Sequence, residues 1–194
     1  MKIIGVTGGS GAGKSAVLEV WKGLGANVID ADEVYHRVLK TDPTLLREID
    51  ERFPGMVTNG VLNRAALAKT VFADKNELAA LNKITHKYVI AAIKTKLSEL
   101  RKAGAQTAVI DAIYLIESEL FRECDVTVAV TAPLDIRLKR ITARDGIKEK
   151  AALARIRSQQ NDEYYIDGCD KVLTNSGDAN ELRKNAHELY FEII

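Results

Sequence analysis

Residues 1–15 read MKIIGVTGGSGAGKS, and a strand, a loop and the start of a helix follow one another in that stretch. Ile3, Ile4 and Val6 form a β-branched apolar run that suits a buried strand. A glycine-rich turn occupies Gly8 to Gly13. After Lys14-Ser15, the residues Val17, Val20, Trp21 and Leu24 recur at i, i+3, i+4 and i+7, one face of a helix. The spacing Gly8-x-x-x-x-Gly13-Lys14-Ser15 between strand and helix is that of a phosphate-binding loop. Glycines let the backbone turn its N–H groups toward a polyphosphate where Cβ atoms would obstruct. The helix N-terminus adds its dipole and unpaired N–H groups. Lys14 supplies a mobile cation for the β- and γ-phosphates, and the Ser15 hydroxyl suits a Mg²⁺ position. The spacing predicts a nucleoside triphosphate site, with Gly11, Ala12, Gly13, Lys14, Ser15 and Ala16 around the phosphates.

Such loops serve kinases, GTPases, ATPase motors and transport ATPases, and size narrows the choice. A chain of 194 residues can bury one core with a small subdomain, but cannot build a multidomain machine. A balance of 28 Lys and Arg against 27 Asp and Glu lacks the basic excess of a nucleic-acid binder. Cys124 and Cys169 have no CxxC spacing, so buried packing is expected of them. Three unclustered histidines give no zinc pattern. Met1 runs directly into the first strand, leaving no signal or transit peptide to expect. No apolar run approaches the ~20 residues of a membrane span. The expected protein is cytoplasmic, with neither nucleic acid nor membrane as partner.

Beyond the loop, strand and helix patterns alternate. A second strand at 26–29 ends in Asp30-Ala31-Asp32. Residues 33–102 are charged and helix-forming, with turn signals at Pro43, Pro54-Gly55 and Asn59-Gly60. Leu67 and Val71, then Leu78, Leu81 and Ile84, then Ile90, Ile93, Leu97 and Leu100 mark amphipathic helices. That length exceeds a simple crossover and predicts a helical insert beside the phosphate site. A third strand at 106–110 ends at Asp111, and a fourth covers 126–130. A helix at 134–144 follows, and residues 145–165 read as a polar, charged lid. A short fifth strand at 172–173 precedes Asn175-Ser176-Gly177 and a last helix carrying Leu182, Ala186 and Leu189. The expected fold is α/β, a kinase-like parallel five-stranded sheet with helices on both faces. Residues 1–32 and 103–194 form its nucleotide-binding core, with ligands at the carboxyl ends of the strands.

Several polar residues fall at that edge. Phosphoryl transfer needs positioning, charge neutralisation and a group oriented on the incoming hydroxyl. Of the two acids after strand two, Asp30 is expected to cap the following helix and Asp32 to act on the acceptor. Asp111, ending the apolar run Ala108-Val109-Ile110, has the form of a carboxylate that holds the water shell of Mg²⁺. Arg140 and Arg144 lie one helical turn apart and can face one ligand, whereas the other basic residues of 137–157 are expected to be solvated. His86 sits in the insert, where it could meet an acceptor. Tyr164 and Tyr165 could stack a base, although packing is the commoner fate of such a pair.

These residues carry a family resemblance. GVTGGSGAGKS, VIDAD, NGVLNR, LNKITH, DAIYLIE, LKRITARD and the terminal NSG together resemble dephospho-coenzyme A kinase, from the first strand to the last helix. The resemblance implies ATP-dependent phosphorylation of the ribose 3′-hydroxyl of dephospho-coenzyme A, with ATP and Mg²⁺ as cofactors and a monomer or small homo-oligomer as the working form. It implies that Lys14 and Ser15 serve ATP and Mg²⁺, and that Asp32 orients or deprotonates the 3′-hydroxyl. It further implies that Arg140 stacks on adenine, that Arg144 reaches the phosphates, and that Asn175 to Gly177 wrap the adenine edge. Residues 33–102 are then the helical acceptor-binding insert, and Asp32, His86 and Asp111 the acceptor-side residues. The chain departs from the family pattern at Ala16 in place of threonine, at Lys87 and Ile113 in place of prolines, and at Asn161 and Tyr164 in the lid. A nucleotide-triggered switch would need a D-x-x-G and an N-K-x-D motif, and neither is present. Another small-molecule or nucleoside monophosphate kinase is the alternative that composition and spacing leave open.

Overall fold

A computed structural model describes residues 1–194, and the chain divides into two compact units. One comprises Met1–Ile29 with Leu100–Ile194, the other Asp30–Glu99. The first unit opens with β1 (Lys2–Thr7), α1 (Lys14–Gly23) and β2 (Asn27–Asp30). The chain then enters the second unit through α2 (Ala31–Thr41), α3 (Pro43–Arg52), the short strands β3 (Val57–Thr58) and β4 (Val61–Leu62), α4 (Arg64–Ala73) and the long α5 (Lys75–Lys102). It returns through β5 (Thr107–Asp111), β6 (Val126–Thr131), α6 (Leu134–Asp145), α7 (Glu149–Arg157), α8 (Asp162–Asp167), β7 (Lys171–Thr174) and α9 (Ala179–Ile193).

The five long strands form one parallel sheet in the order β2-β5-β1-β6-β7. Central β1 sets Ile4 opposite Val109 of β5 and Val6 opposite Val128 of β6. The strand order reverses at β1, so the turn after Thr7 emerges at a topological switch point, where open α/β sheets bind ligands. Strands covered on both faces should read as continuous apolar runs, and Ile4, Val6, Val109, Val128 and Val130 are all fully buried. The expected strands and helices are therefore present, with ends shifted by a residue or two.

Two features add to the expectation. Asn59-Gly60, a turn signal, closes a β3–β4 hairpin with both residues at positive φ (52° and 75°), the geometry that an Asn-Gly hairpin turn demands. The stretch expected as a polar lid holds two helices. Ala152 and Ile156 of α7 pack on Ile141 of α6, a contact too sparse to leave an apolar period.

Within the second unit, Val34, Leu45, Ile49 and Ile93 are fully buried. The Glu48 carboxylate on α3 accepts from the Tyr88 hydroxyl on α5 at 2.7 Å and pairs with Lys87 at 2.5 Å. Lys87, one of the departures, thus helps to hold α5 to α3.

In the first unit Trp21 of α1 is 0% exposed. Its Nε1 donates to the Ala186 carbonyl at 2.8 Å, and its ring centroid lies 5.9 Å from that of Tyr190, also on α9. The helix following the phosphate loop is thereby fixed to the last helix of the chain. Trp21→Phe is expected to cost about 1–3 kcal/mol through the lost volume and hydrogen bond. A denaturant midpoint lowered at constant m-value would show it; an unchanged midpoint would mean that this clamp contributes nothing.

Candidate active site

The loop between β1 and α1 takes its shape from glycines at positive φ: Gly8 at 138°, Gly11 at 79° and Gly13 at 106°. At two of them space is as decisive as the dihedral angle. A Cβ on Gly8 would lie 2.1 Å from the Val130 carbonyl oxygen, and one on Gly13 would lie 2.1 Å from the Asn175 amide nitrogen. No side chain fits at either position. Lys14 folds back across the loop, its Nζ donating to the Gly8 carbonyl at 2.7 Å.

Side chains from outside the loop hold its carbonyls. Nε of Arg137 donates to the Ser10 carbonyl at 2.9 Å, and Nη1 of Arg140 reaches the Gly11 carbonyl at 3.3 Å and that of Ala12 at 3.5 Å. Asn175, 2% exposed, donates to the Ala12 carbonyl at 2.8 Å and accepts from Arg140 Nη2 at 2.9 Å. In a planar trans peptide the C=O and the next N–H point in opposite directions. The N–H groups of Gly11 and Gly13 therefore face away from these donors, while that of Ala12 closes a turn on the Gly9 carbonyl at 3.2 Å. α1 then begins at Gly13 with no side-chain cap and no acid in its first turn. Asp30, Asp42, Asn63, Asn161 and Asp178 each cap a helix, whereas α6 and α7, like α1, start without a side-chain cap. An uncapped helix start behind outward-turned carbonyls is an anion-binding arrangement.

Of the expected residues of the first unit, Arg140 and Asn175 contact this loop directly. Ser15 is exposed in the first turn of α1, with Ala16 beside it donating its N–H to the Gly13 carbonyl at 3.1 Å. Asp111 ends β5 opposite Val6 of β1, and its neighbour Ala112 donates to the Val6 carbonyl. The Ile113 carbonyl, at another departure, accepts from the Thr7 hydroxyl at 3.2 Å. Asn175 and Arg140 support the loop from behind with their polar atoms, and Gly177 lies against the Glu181 carboxylate.

Arg144 has its side chain 61% exposed and donates to both oxygens of Asp145, at 2.7 and 3.1 Å. Arg155 binds the same carboxylate, and the two guanidinium groups hold the Asp145 pKa down at about 2. One carboxylate shared by two arginines leaves one of them in positive excess.

The expectation that the remaining basic residues of α6 are solvated is wrong for Arg137, which is 4% exposed. Its position carried a signal. Leu134, Arg137, Leu138 and Ile141 share one helical stripe, so Arg137 stands where an apolar residue belongs. Gln159, which binds Ser10, gave no such signal. Tyr165 is packed at 1% exposure, with Tyr164 edge-on at 5.8 Å between centroids. Asn161 caps α8 by accepting from the Tyr164 N–H. Cys124 and Cys169 are free and half-buried, and burial pushes their thiols up to about 12 and about 11, the behaviour of inert packing residues.

In the second unit Asp30 caps α2 as expected, its Oδ1 accepting from the Glu33 N–H at 2.9 Å. Asp32 is exposed in the first turn of that helix, within electrostatic reach of Tyr35. His86 lies on α5, half-buried, and burial pulls its pKa below the usual histidine value. The adjacent Thr85 is buried and returns its hydroxyl to the Leu81 carbonyl.

A model of the family described as dephospho-CoA kinase matches residues 2–181. The dephospho-CoA kinase of Corynebacterium diphtheriae is 37% identical over 192 residues, covering 98% of this chain and 96% of that one. Among solved structures, the dephospho-CoA kinase from Campylobacter jejuni superposes with a TM-score of 0.71 at 27% identity, over 100% of this chain and 98% of its own. TT1252 from Thermus thermophilus does so with a TM-score of 0.82 at 32% identity, over the same shares. Because these matches run through both units rather than the phosphate loop alone, this chain belongs to the dephospho-CoA kinase family.

Proposed function

We infer that this chain transfers the γ-phosphoryl group of ATP to the ribose 3′-hydroxyl of dephospho-coenzyme A, giving coenzyme A and ADP. The observation that carries this reading is the phosphate loop with its carbonyls tied outward, in a chain matched over its whole length by dephospho-CoA kinases. In phosphoryl transfer the protein positions the reactants and stabilises charge. Backbone N–H groups of Gly11, Gly13, Lys14 and Ser15 would cradle the β- and γ-phosphates, with Ala12 and Ala16 closing turns of the same loop, and Lys14 would move from the Gly8 carbonyl onto their oxygens. Arg140 would lay its plane on adenine beside Asn175 and Gly177. Arg144 can leave Asp145 for the phosphates because Arg155 remains with that carboxylate.

Ser15 places a hydroxyl in the first turn of α1 and Asp111 a carboxylate at the end of β5, and no group of three or more His, Cys, Asp or Glu is arranged to hold a metal ion. That sparse, all-oxygen set fits Mg²⁺, which keeps several waters and shares its ligands with substrate phosphates. Ser15 would hold it directly and Asp111 through water, and when bound it would neutralise charge on the β- and γ-oxygens.

Asp32 would accept the proton of the 3′-hydroxyl as that oxygen bonds to the γ-phosphorus and the bond to the β-phosphate oxygen breaks. His86 on α5 would bind the acceptor, and Asp111 at the end of β5 would be a further acceptor residue. No helix is long and apolar enough to cross a membrane. We place the reaction in the cytoplasm, with a monomer or small homo-oligomer as the working form.

The direct test offers dephospho-coenzyme A, adenosine, AMP and shikimate as acceptors with ATP. Dephospho-coenzyme A is expected to lead, and Asp32→Asn to lower its kcat about 10²–10⁴-fold, the scale for loss of a placed acid–base group. Preference for another acceptor, or near-normal kcat in Asp32→Asn, would overturn the assignment.

His86→Ala is expected to raise KM for dephospho-coenzyme A while KM for ATP stays within about threefold. Since burial keeps the imidazole neutral near neutral pH, the acceptor KM should be insensitive to pH between about 7 and 8 on its account. A lowered melting temperature with unchanged acceptor KM would assign His86 to packing instead.

A further inference from the structure

The crest of the phosphate loop is gripped by two side chains outside the expected site. The three nitrogens of Arg137 divide between two hydrogen bonds and one contact. Nε donates to the Ser10 carbonyl at 2.9 Å, and Nη1 donates to the Asp162 carboxylate, at the start of α8, at 2.8 Å. Nη2 is buried without a hydrogen-bond partner, so close to Gly9 that a Cβ there would come within 2.1 Å of it. Gln159, from the segment joining α7 to α8, completes the grip. Its Oε1 accepts the Ser10 N–H at 2.8 Å, and its Nε2 donates to the Ser10 hydroxyl oxygen at 2.8 Å. Every polar group of Ser10 is therefore held by one of two side chains.

Packing alone does not call for this arrangement. Burying a guanidinium with one donor unmet carries a desolvation penalty that an aliphatic side chain avoids, and Ile141 one turn along α6 is such a residue. What a planar fork of donors supplies is direction. With the Ser10 carbonyl pinned to Nε, the plane of the Ser10–Gly11 peptide is set, and the Gly11 N–H faces away from α6. The same guanidinium binds Asp162, so that plane is tied to the position of α8.

We propose that Arg137 and Gln159 are positioning residues for phosphoryl transfer: they hold the Gly9–Ser10 crest so that the Gly11 N–H faces the triphosphate, and they couple that orientation to the α7–α8 segment through Asp162. The proposal rests on the phosphotransfer reading above. Neither residue touches the reacting atoms. Both act through the loop, and a Cβ on Gly9 would push the guanidinium out of its place.

The test assays Arg137→Met, Arg137→Lys and Gln159→Leu with ATP and dephospho-coenzyme A, and measures ATP affinity separately by calorimetry without acceptor. Arg137→Met is expected to lower kcat by about 10²-fold, the scale of a small misplacement at a reacting centre. Its ATP affinity should fall about tenfold, with the acceptor KM within about threefold. Arg137→Lys still reaches the Ser10 carbonyl and should recover about tenfold in kcat. Gln159→Leu is expected to lower kcat about tenfold at nearly unchanged melting temperature, and it carries the test if Arg137→Met does not fold. Folded variants whose kcat and ATP affinity both stay within about twofold of wild type would overturn the proposal. Failure of the wild-type chain to use dephospho-coenzyme A would instead overturn the reading of the reaction, and the calorimetric measurements would still decide the grip.

Discussion

Three consecutive peptide carbonyls, those of Ser10, Gly11 and Ala12, are turned outward and held by Arg137, Arg140 and Asn175. A loop of glycines has no intrinsic preference for that state, because each glycine samples many conformations. The outer donors select one, with the amides of Gly11 and Gly13 facing the other way. Electrostatic preorganisation of this kind lets a site receive negative charge without first rearranging its own dipoles. The rest of the first unit serves it. Parallel β1 and β6 deliver the loop and α6 to one edge of the sheet, β7 leads to Asn175, and Trp21 ties α1 to α9.

Much of this was legible in the sequence because the physics is local. A β-branched run, glycines at fixed spacing and a helical stripe each act within a few residues, so β1, the loop and α1 could be read from residues 1–24. Asp30 as a helix cap is equally local. For Arg137 the helical stripe signals burial, but its partners, Ser10 and Asp162, are distant in sequence and stay hidden. A charge among charges looks solvated until the fold brings a carbonyl and a carboxylate to it. Gln159 is a clearer instance, since nothing around it in the chain distinguishes it. For Asn175 the position was legible and the contact was not. Its side chain faces the back of the loop.

The departures from the family pattern gain individual accounts. Lys87 joins Glu48, Ile113 offers its carbonyl to Thr7, and Asn161 caps α8. The contacts of Lys87 and Asn161 come from their side chains, whereas that of Ile113 is made by its backbone carbonyl, which a proline would also present. None of them touches the outward-held carbonyls of the loop, on which phosphate binding depends.

The central claim concerns which amides of the loop face the ligand, and amide resonances report that directly. In ¹H–¹⁵N spectra of the chain titrated with ATP and Mg²⁺, the signals of Gly11, Gly13, Lys14 and Ser15 are expected to shift together. The Ser10 amide, held by Gln159, should exchange slowly with solvent before and after addition. If the amides of Gly11, Gly13, Lys14 and Ser15 stay in place while Ser10 shifts and exchanges freely, the loop presents its donors in another way and the account fails.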